Sequence, residues 1–160
     1  MKKLSFLALS ALIVTPAFAA STGTLTLSGN VAAVNDITVT PNGTNNTSLN
    51  IISGETGKNV ASVTESSNDK DGYKIQIHSA NGGQLQLAGQ PSKYTTYQIS
   101  YAGGSYTTPP LAASPVTIKN VSSLSALTSA TSAVAVNVTA YPTALAGTYS
   151  DTVTFAIIGN

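Results

Sequence analysis

Residues 22–33 have the sequence TGTLTLSGNVAA, in which apolar and polar residues alternate. Leu25, Leu27 and Val31 recur at even spacing, with Gly29 in the same series and polar residues at the positions between them. A period of two residues is typical of a β-strand that buries one face. Because this strand stands near one end of the sequence, its apolar face needs a groove, either in its own domain or on another copy of the protein.

Residues 1–19 have the pattern of a secretory signal peptide. Two lysines precede an apolar run at residues 4–14, which is too short to span a membrane, and an A-x-A motif ends at Ala19. We expect cleavage after Ala19 and export of the remaining chain. The mature protein then consists of an N-terminal extension at residues 20–33 and one domain at residues 34–160.

Charge and cysteine content argue against several functions. Beyond the signal peptide, five lysines oppose six acidic residues, and the sequence contains no arginine and no cysteine. Nucleic-acid interfaces rely on arginine for bidentate contacts to phosphates and bases, so nucleic acid is not expected as a partner. Without disulfides, an exported domain of this length depends on core packing and β-ladder hydrogen bonds.

Short apolar-alternating runs separated by Gly, Pro and Asn turns predict an all-β sandwich. We expect a strand at Leu49 and Ile51, a strand at residues 84–88 paired with the preceding one, and a last strand at residues 148–158. Residues 124–133 are expected to form a loop or a helical turn. The predicted core contains eight residues on the inward phase of their strands: Ile75, Ile77, Ile99, Val136, Val138, Val153, Phe155 and Ile157.

No group of residues points to catalysis. His78 is the only histidine, it falls on the outward phase of its strand, and the G-x-S-x-G sequence of a nucleophile elbow does not occur. Asp69 and Asp71 precede Gly72 as in a calcium loop, but the bidentate glutamate required downstream is missing. We therefore expect no catalytic, cofactor or metal site. Asp151 shares the inward phase of the last strand and is expected to sit at the open end of that strand or to bond backbone amides there.

The sequence AGTYSDTVTFAI at residues 146–157 resembles the A-G-x-Y-x-D-x-[LIV]-x-[LIV] ending of chaperone-usher pilus subunits of the spore-coat-U type. Gly147 is the fourteenth residue from the end, where the chaperone-recognition motif of this family also has a glycine. Residues 27–31, LSGNV, resemble the alternating donor extension of these subunits. The lack of cysteine and the hairpin sequence ISYAGG at residues 99–104 are similar to the colonisation-factor branch of the pilins. Gly159 departs from the pattern, since many members have an aromatic residue there.

The resemblance implies an incomplete immunoglobulin-like β-sandwich with an N-terminal donor-strand extension. Such a subunit borrows its missing strand, first from a periplasmic chaperone and then, at the outer-membrane usher, from the extension of the next subunit. The implied donor residues are Leu25, Leu27, Gly29 and Val31. The implied strand at the groove edge, which the chaperone contacts, contains Gly147, Tyr149, Val153, Phe155 and Ile157. The product is a head-to-tail surface pilus, or fimbria, that supports adhesion to host or abiotic surfaces or biofilm formation.

Other classes of β-rich protein fit part of the sequence. A secreted, non-catalytic binding module with a complete sandwich would pair residues 22–33 within its own domain. An outer-membrane β-barrel fits the length and the alternation, but it needs strands of about ten residues, aromatic girdles and usually a C-terminal aromatic residue. The chain has only 6% aromatic residues and ends in Ile158, Gly159 and Asn160. An enzyme is expected less than either class, because no active site is apparent.

Overall fold

The computed structural model describes residues 21–160, so the predicted signal peptide lies outside the described residues. Residues 21–31 belong to a different compact unit from Ala32–Asn160 and form neither helix nor strand. The second unit is all-β. Across residues 21–160, no helix has the length and apolar character needed to cross a membrane.

The strands of the second unit form two antiparallel sheets. Their bounds are β1 (Asn35–Pro41), β2 (Glu55–Ser67), β3 (Tyr73–Ser79), β4 (Gln84–Leu87), β5 (Gln90–Tyr101), β6 (Val116–Val121), β7 (Thr128–Val138), β8 (Tyr149–Ser150) and β9 (Val153–Gly159). One sheet has the order β1-β2-β7-β5-β4-β8 and the other has the order β6-β3-β9. The larger sheet curls so that both sheets contribute to one apolar core, and the fold is sandwich-like.

Alternating burial along the strands defines this core. Five of the eight predicted core residues are buried: Ile75, Ile77, Ile99, Val136 and Val138. The other three, all in β9, pack against the same cluster but stay partly exposed: Val153, Phe155 and Ile157. Their inward phase agrees with the sequence pattern, whereas their exposure shows that β9 borders an open side of the sandwich.

Three expectations about individual strands are wrong. β4 pairs with β5 and β8 rather than with β3, because the turn at Gly82 and Gly83, both with positive φ, carries the chain from one sheet to the other. Leu49 and Ile51 lie in the loop at residues 42–54 and not in a strand. β7 already begins at Thr128, in a Ser-, Thr- and Ala-rich segment whose weak hydropathy contrast hides the strand.

The C-terminal segment also differs from the single strand expected at residues 148–158. β8 pairs with β4 in the six-stranded sheet, while β9 pairs with β3 in the three-stranded sheet. Asp151 and Thr152 separate the two strands. The chain therefore passes from one sheet to the other at this point, and Tyr149 and Val153 belong to different sheets.

Candidate docking groove between two edge strands

Two strands at the open side of the sandwich each keep one backbone edge outside any β-ladder. Among the described strands, β1 pairs with β2 alone and β9 pairs with β3 alone. β1 and β9 lie side by side, with some Cα atoms within 8 Å of each other, but they belong to different sheets. An edge strand presents a row of N–H and C=O groups to which a further strand can bind.

An apolar cavity of about 220 Å³ opens between these two strands. Val39 and Pro41 of β1 line it, as do Val153 and Phe155 of β9. Core side chains of the six-stranded sheet form its floor: Val60, Leu85, Ile99, Val134 and Val136. Val39 is 44% exposed, so the space is open to solvent along β1. We call this space the β1–β9 groove.

The loop at residues 42–54 borders one end of the β1–β9 groove. Leu49 of this loop packs against the core and lines the cavity together with Asn46. A backbone hydrogen bond from Asn42 N to Val60 O, at 2.9 Å, ties the start of the loop to β2. The groove therefore has a structured boundary at the end where β1 finishes.

Asp151 lines the same end of the groove and fixes the crossing of the chain between the sheets. Its carboxylate accepts hydrogen bonds from Asn81 N at 3.0 Å, from Thr152 N at 2.7 Å and from the Tyr97 hydroxyl at 2.8 Å. Burial and the Asp151 carboxylate together raise the pKa of the Tyr97 phenol well above its usual range. The expectation that Asp151 bonds backbone amides is confirmed.

Gly147 and Tyr149 lie on the six-stranded side of this crossing. A Cβ at Gly147 would stand 2.5 Å from Leu87 Cδ1, so a larger residue would displace the buried Leu87 side chain. The Tyr149 ring meets the Tyr141 ring edge-on, with centroids 6.4 Å apart. The predicted groove-edge residues are therefore divided between the sheets: Gly147 and Tyr149 near β4, and Val153, Phe155 and Ile157 on β9.

A buried ion pair connects the two sheets close to Phe155. Glu65 of β2 is fully buried and accepts hydrogen bonds from Lys119 Nζ of β6 and from the Tyr101 hydroxyl, the latter at 2.9 Å. The ring centroids of Tyr101 and Phe155 are 6.2 Å apart. Burial lowers the pKa of the Lys119 ammonium, whose nitrogen also lies 5.8 Å from the Tyr73 ring centroid.

Sequence reasoning missed both this ion pair and the β1 side of the groove. The period-two pattern did carry a signal for Glu65, which follows Val63 by two positions in β2 and so shares its inward phase. No comparable signal identifies Val39 and Pro41. Which strand lies opposite β9 depends on a strand order set by contacts between residues far apart in the sequence.

The predicted donor residues are exposed in the first unit. Leu25, Leu27 and Val31 are 84%, 84% and 83% exposed. A Cβ added at Gly29 would have no heavy atom within 4 Å. The apolar side chains of the extension are therefore accessible to a binding partner.

The residues considered for metal binding or catalysis lie in a turn and on an outward strand face. Asp69 Oδ1 accepts a hydrogen bond from Asp71 N at 3.0 Å, and the Asp71 carboxylate pairs with Lys70 Nζ at 2.6 Å. His78 alternates with the buried residues of β3. Within the described range 21–160, no group of three or more histidine, cysteine, aspartate or glutamate side chains is placed to hold a metal ion.

No family model matches the chain, and no curated protein matches it in sequence. Its function is therefore inferred from the residues and the geometry described above.

Proposed function

We infer that the chain is a structural subunit of a bacterial surface pilus of the chaperone-usher type. In this proposal the domain is an incomplete immunoglobulin-like sandwich, and residues 20–33 of one subunit fill the β1–β9 groove of the next. Repetition of this contact gives a head-to-tail, open-ended fibre. The observation that carries the proposal is the pair of adjacent edges, β1 and β9, over an open apolar cavity.

The length of the extension fits the groove. The segment from Leu25 to Val31 spans seven residues, and β1 and β9 have seven residues each. At about 3.3 Å per residue, each of these segments is roughly 23 Å long when extended. Residues 32–34 then remain as a short connection between the donor strand and β1 of its own subunit.

The chemistry of the two surfaces is also complementary. A strand added to the free edges of β9 and β1 would take up their unpaired backbone groups, which is the β-augmentation mode of binding. Pairing with both edges requires them to stand about 9 to 10 Å apart, so β1 and β9 would have to separate where their Cα atoms lie within 8 Å of each other. Leu25, Leu27 and Val31 would enter the cavity beside Val153 and Phe155. Burying each aliphatic side chain contributes about 1.5 to 3 kcal/mol, and Gly29 leaves room for close approach of the backbones.

The proposal includes a route of export and a set of partners. The signal peptide would direct the subunit out of the cytoplasm, a periplasmic chaperone would cover the groove in transit, and an outer-membrane usher would exchange the chaperone for the next subunit. The pilus would then support adhesion to host or abiotic surfaces or biofilm formation. This part of the proposal follows from the resemblance of residues 146–157 to the pilin ending.

A secreted binding module with a complete fold is the second candidate. It would fill the same groove with its own residues 22–33 and remain a monomer. No polymer contact would then be needed, and the exposed β9 edge would be closed within one chain.

The decisive experiment changes the apolar face of the extension. Leu27→Asp together with Val31→Asp should abolish surface fibres in the producing cells, because an unpaired charge is costly to bury in an apolar groove. Fibres are scored by electron microscopy and by the high-molecular-weight ladder of unboiled surface extracts. Export of the variant is checked in the periplasmic fraction.

Thr26→Asp together with Asn30→Asp is the matched control. It adds the same two charges to the polar phase of the same strand, so fibres should persist. Fibres from the Leu27→Asp, Val31→Asp variant, or a wild-type protein that stays monomeric in its own cells, would contradict the pilus proposal.

A further inference from the structure

The outer face of the six-stranded sheet carries a second concave surface. Glu55 and Thr56 at the start of β2, Gln98 on β5, Asn137 near the end of β7, and Thr108 and Thr139 outside the strands line a cavity of about 510 Å³, together with the core residues Tyr97 and Val138. We call it the polar trough. Its volume lies within the range of about 300 to 1,000 Å³ that is usual for small-molecule sites.

Several hydrogen-bonding groups of the polar trough have no protein partner. Asn137 Oδ1 accepts a hydrogen bond from Gly57 N at 2.8 Å, which orients the amide and leaves its Nδ2 donors free. Within residues 21–160, the side chains of Gln98, Thr56 and Thr108 form no hydrogen bond. Unpartnered amides and hydroxyls that converge on one cavity are the groups with which proteins bind polyhydroxylated ligands.

The charge of the polar trough favours a neutral ligand. Glu55 is its one carboxylate, and its Oε1 pairs with Lys58 Nζ at 2.9 Å. Lys58 Nζ also donates to Ser48 O at 2.6 Å, so its positive charge is already engaged. Since residues 21–160 place no free cation at the site, a phosphate, a sulfate or a sialic-acid carboxylate would find no counter-charge there.

The backbone around the polar trough excludes binding by strand addition. β7 forms ladders with β2 on one side and β5 on the other, and Gln98 and Asn137 are direct partners in the second ladder. No sheet edge is therefore open along β5 and β7. The β2–β7 ladder is interrupted here between Glu55 and Lys58, which leaves too short a row of free backbone groups for an extended peptide. The ligand must be one that bonds to side-chain amides and hydroxyls.

We propose that the polar trough is a binding site for a neutral saccharide. Sugar hydroxyl groups both donate and accept hydrogen bonds, which matches the mixture of amide, hydroxyl and carboxylate oxygen groups at the site. Among the described residues that line the cavity, the one aromatic residue is Tyr97, which is buried, so no ring is available there for stacking against a sugar. The affinity expected for one disaccharide is therefore in the millimolar range.

The polar side chains of this site lie on the opposite face of the sheet from the groove, although Tyr97 and Val138 line both cavities. Asn137 lies between Val136 and Val138, whose side chains point into the core, so Asn137 points to the opposite face of the sheet. A filled β1–β9 groove leaves the polar trough open to solvent. The saccharide site therefore serves equally on a monomeric module and on a fibre, where its repetition would raise the avidity for a polysaccharide.

The test is saturation-transfer NMR on the mature chain with three neutral disaccharides as probes: lactose, cellobiose and N,N′-diacetylchitobiose. The method observes the sugar and works for a monomer or a fibre. We expect saturable transfer to at least one of the three. Gln98→Ala combined with Thr108→Val should weaken it about tenfold or more, which corresponds to the loss of roughly 1.4 kcal/mol of hydrogen bonding.

Gln76→Ala is the matched control, because Gln76 is also a strand glutamine on an exposed face, but in the three-stranded sheet. It should leave the affinity unchanged. The proposal is overturned if none of the three sugars shows saturable transfer, or if the Gln98→Ala, Thr108→Val variant binds as tightly as the wild type. Equal binding of glucuronic acid would refute the charge argument. Loss of fibres in the extension variants has no bearing on these outcomes.

Discussion

At the scale of single residues, Glu65 is the least expected feature of the core. A fully buried carboxylate is tolerated when cations and hydroxyls bond it, and here Lys119 and Tyr101 do so. Lys119→Met removes the cation and leaves the charge uncompensated. We expect a loss of about 3 kcal/mol in the free energy of unfolding, at the lower end of the range for broken buried pairs because Lys119 keeps 27% of its side-chain surface exposed.

Denaturant unfolding of the purified domain measures this loss. The control is Lys119→Met combined with Glu65→Gln, which removes both charges and should recover most of the stability. If Lys119→Met alone costs less than about 1 kcal/mol, the carboxylate is being neutralised in another way.

Tyr97 makes the free energy of unfolding depend on pH in the alkaline range. Burial and Asp151 raise its pKa in the folded state, while the unfolded chain keeps the ordinary tyrosine value of about 10. Above that pH the unfolded state loses a proton that the folded state retains, so stability is present below pH 10 and falls as the pH rises. Tyr97→Phe should make the decline less steep by about 1.4 kcal/mol per pH unit.

Urea unfolding at a series of pH values from about 9 to 11 tests this slope. The lysines titrate in both proteins, so the difference between wild type and variant isolates Tyr97. Identical slopes would show that the Tyr97 phenol ionises as easily in the folded protein as in the unfolded chain.

At the scale of elements, β3 and β9 form one ladder with unequal burial. Ile75 and Ile157 are direct partners, yet Ile75 is fully buried and Ile157 is partly exposed. Ile75→Ala should cost about 4 kcal/mol and Ile157→Ala about 2 kcal/mol, because the second change removes less buried surface. Denaturant unfolding of the two single variants measures the two losses in the free energy of unfolding. Equal losses would mean that the open side of the sandwich is covered.

The strands that could be predicted are those with strong hydropathy contrast. Ile75 and Ile77 alternate with polar residues, and so do Val136 and Val138, so both core strands follow from the sequence. The first half of β7 has serine, threonine and alanine on both faces, so its hydropathy does not alternate and the strand could not be predicted there. The pairing of β4 escaped prediction because a glycine turn before it fits a hairpin and a change of sheet equally well.

At the scale of the whole molecule, deletion of the N-terminal extension distinguishes the pilus proposal from the complete-fold module. In the pilus proposal, deleting residues 20–33 should change the free energy of unfolding of the isolated subunit by less than about 1 kcal/mol, because Leu25, Leu27 and Val31 are exposed in it. The same deletion should abolish fibres. A complete-fold module would instead lose several kcal/mol, since it would lose a core strand.

Much of the candidate groove could not be predicted from the sequence. The alternation at residues 22–33 indicated that an apolar strand needed a groove. The prediction that the side chains of Val153 and Phe155 point toward the core was correct. The opposite side, formed by Val39 and Pro41, depends on which strands end up as neighbours. The polar trough is also a product of strand order, because Gln98 and Asn137 are 39 positions apart and meet only as ladder partners.

In the pilus proposal, the crossing of the chain at Asp151 and Thr152 has a consequence for the geometry of the fibre. It places a covalent connection between the sheets at the end of the groove where β1 finishes, so an inserted strand cannot slide beyond it. A physical stop of this kind fixes the axial rise per subunit. Fibres of the wild type should then show a single repeat distance along their length, independent of how fast they are assembled.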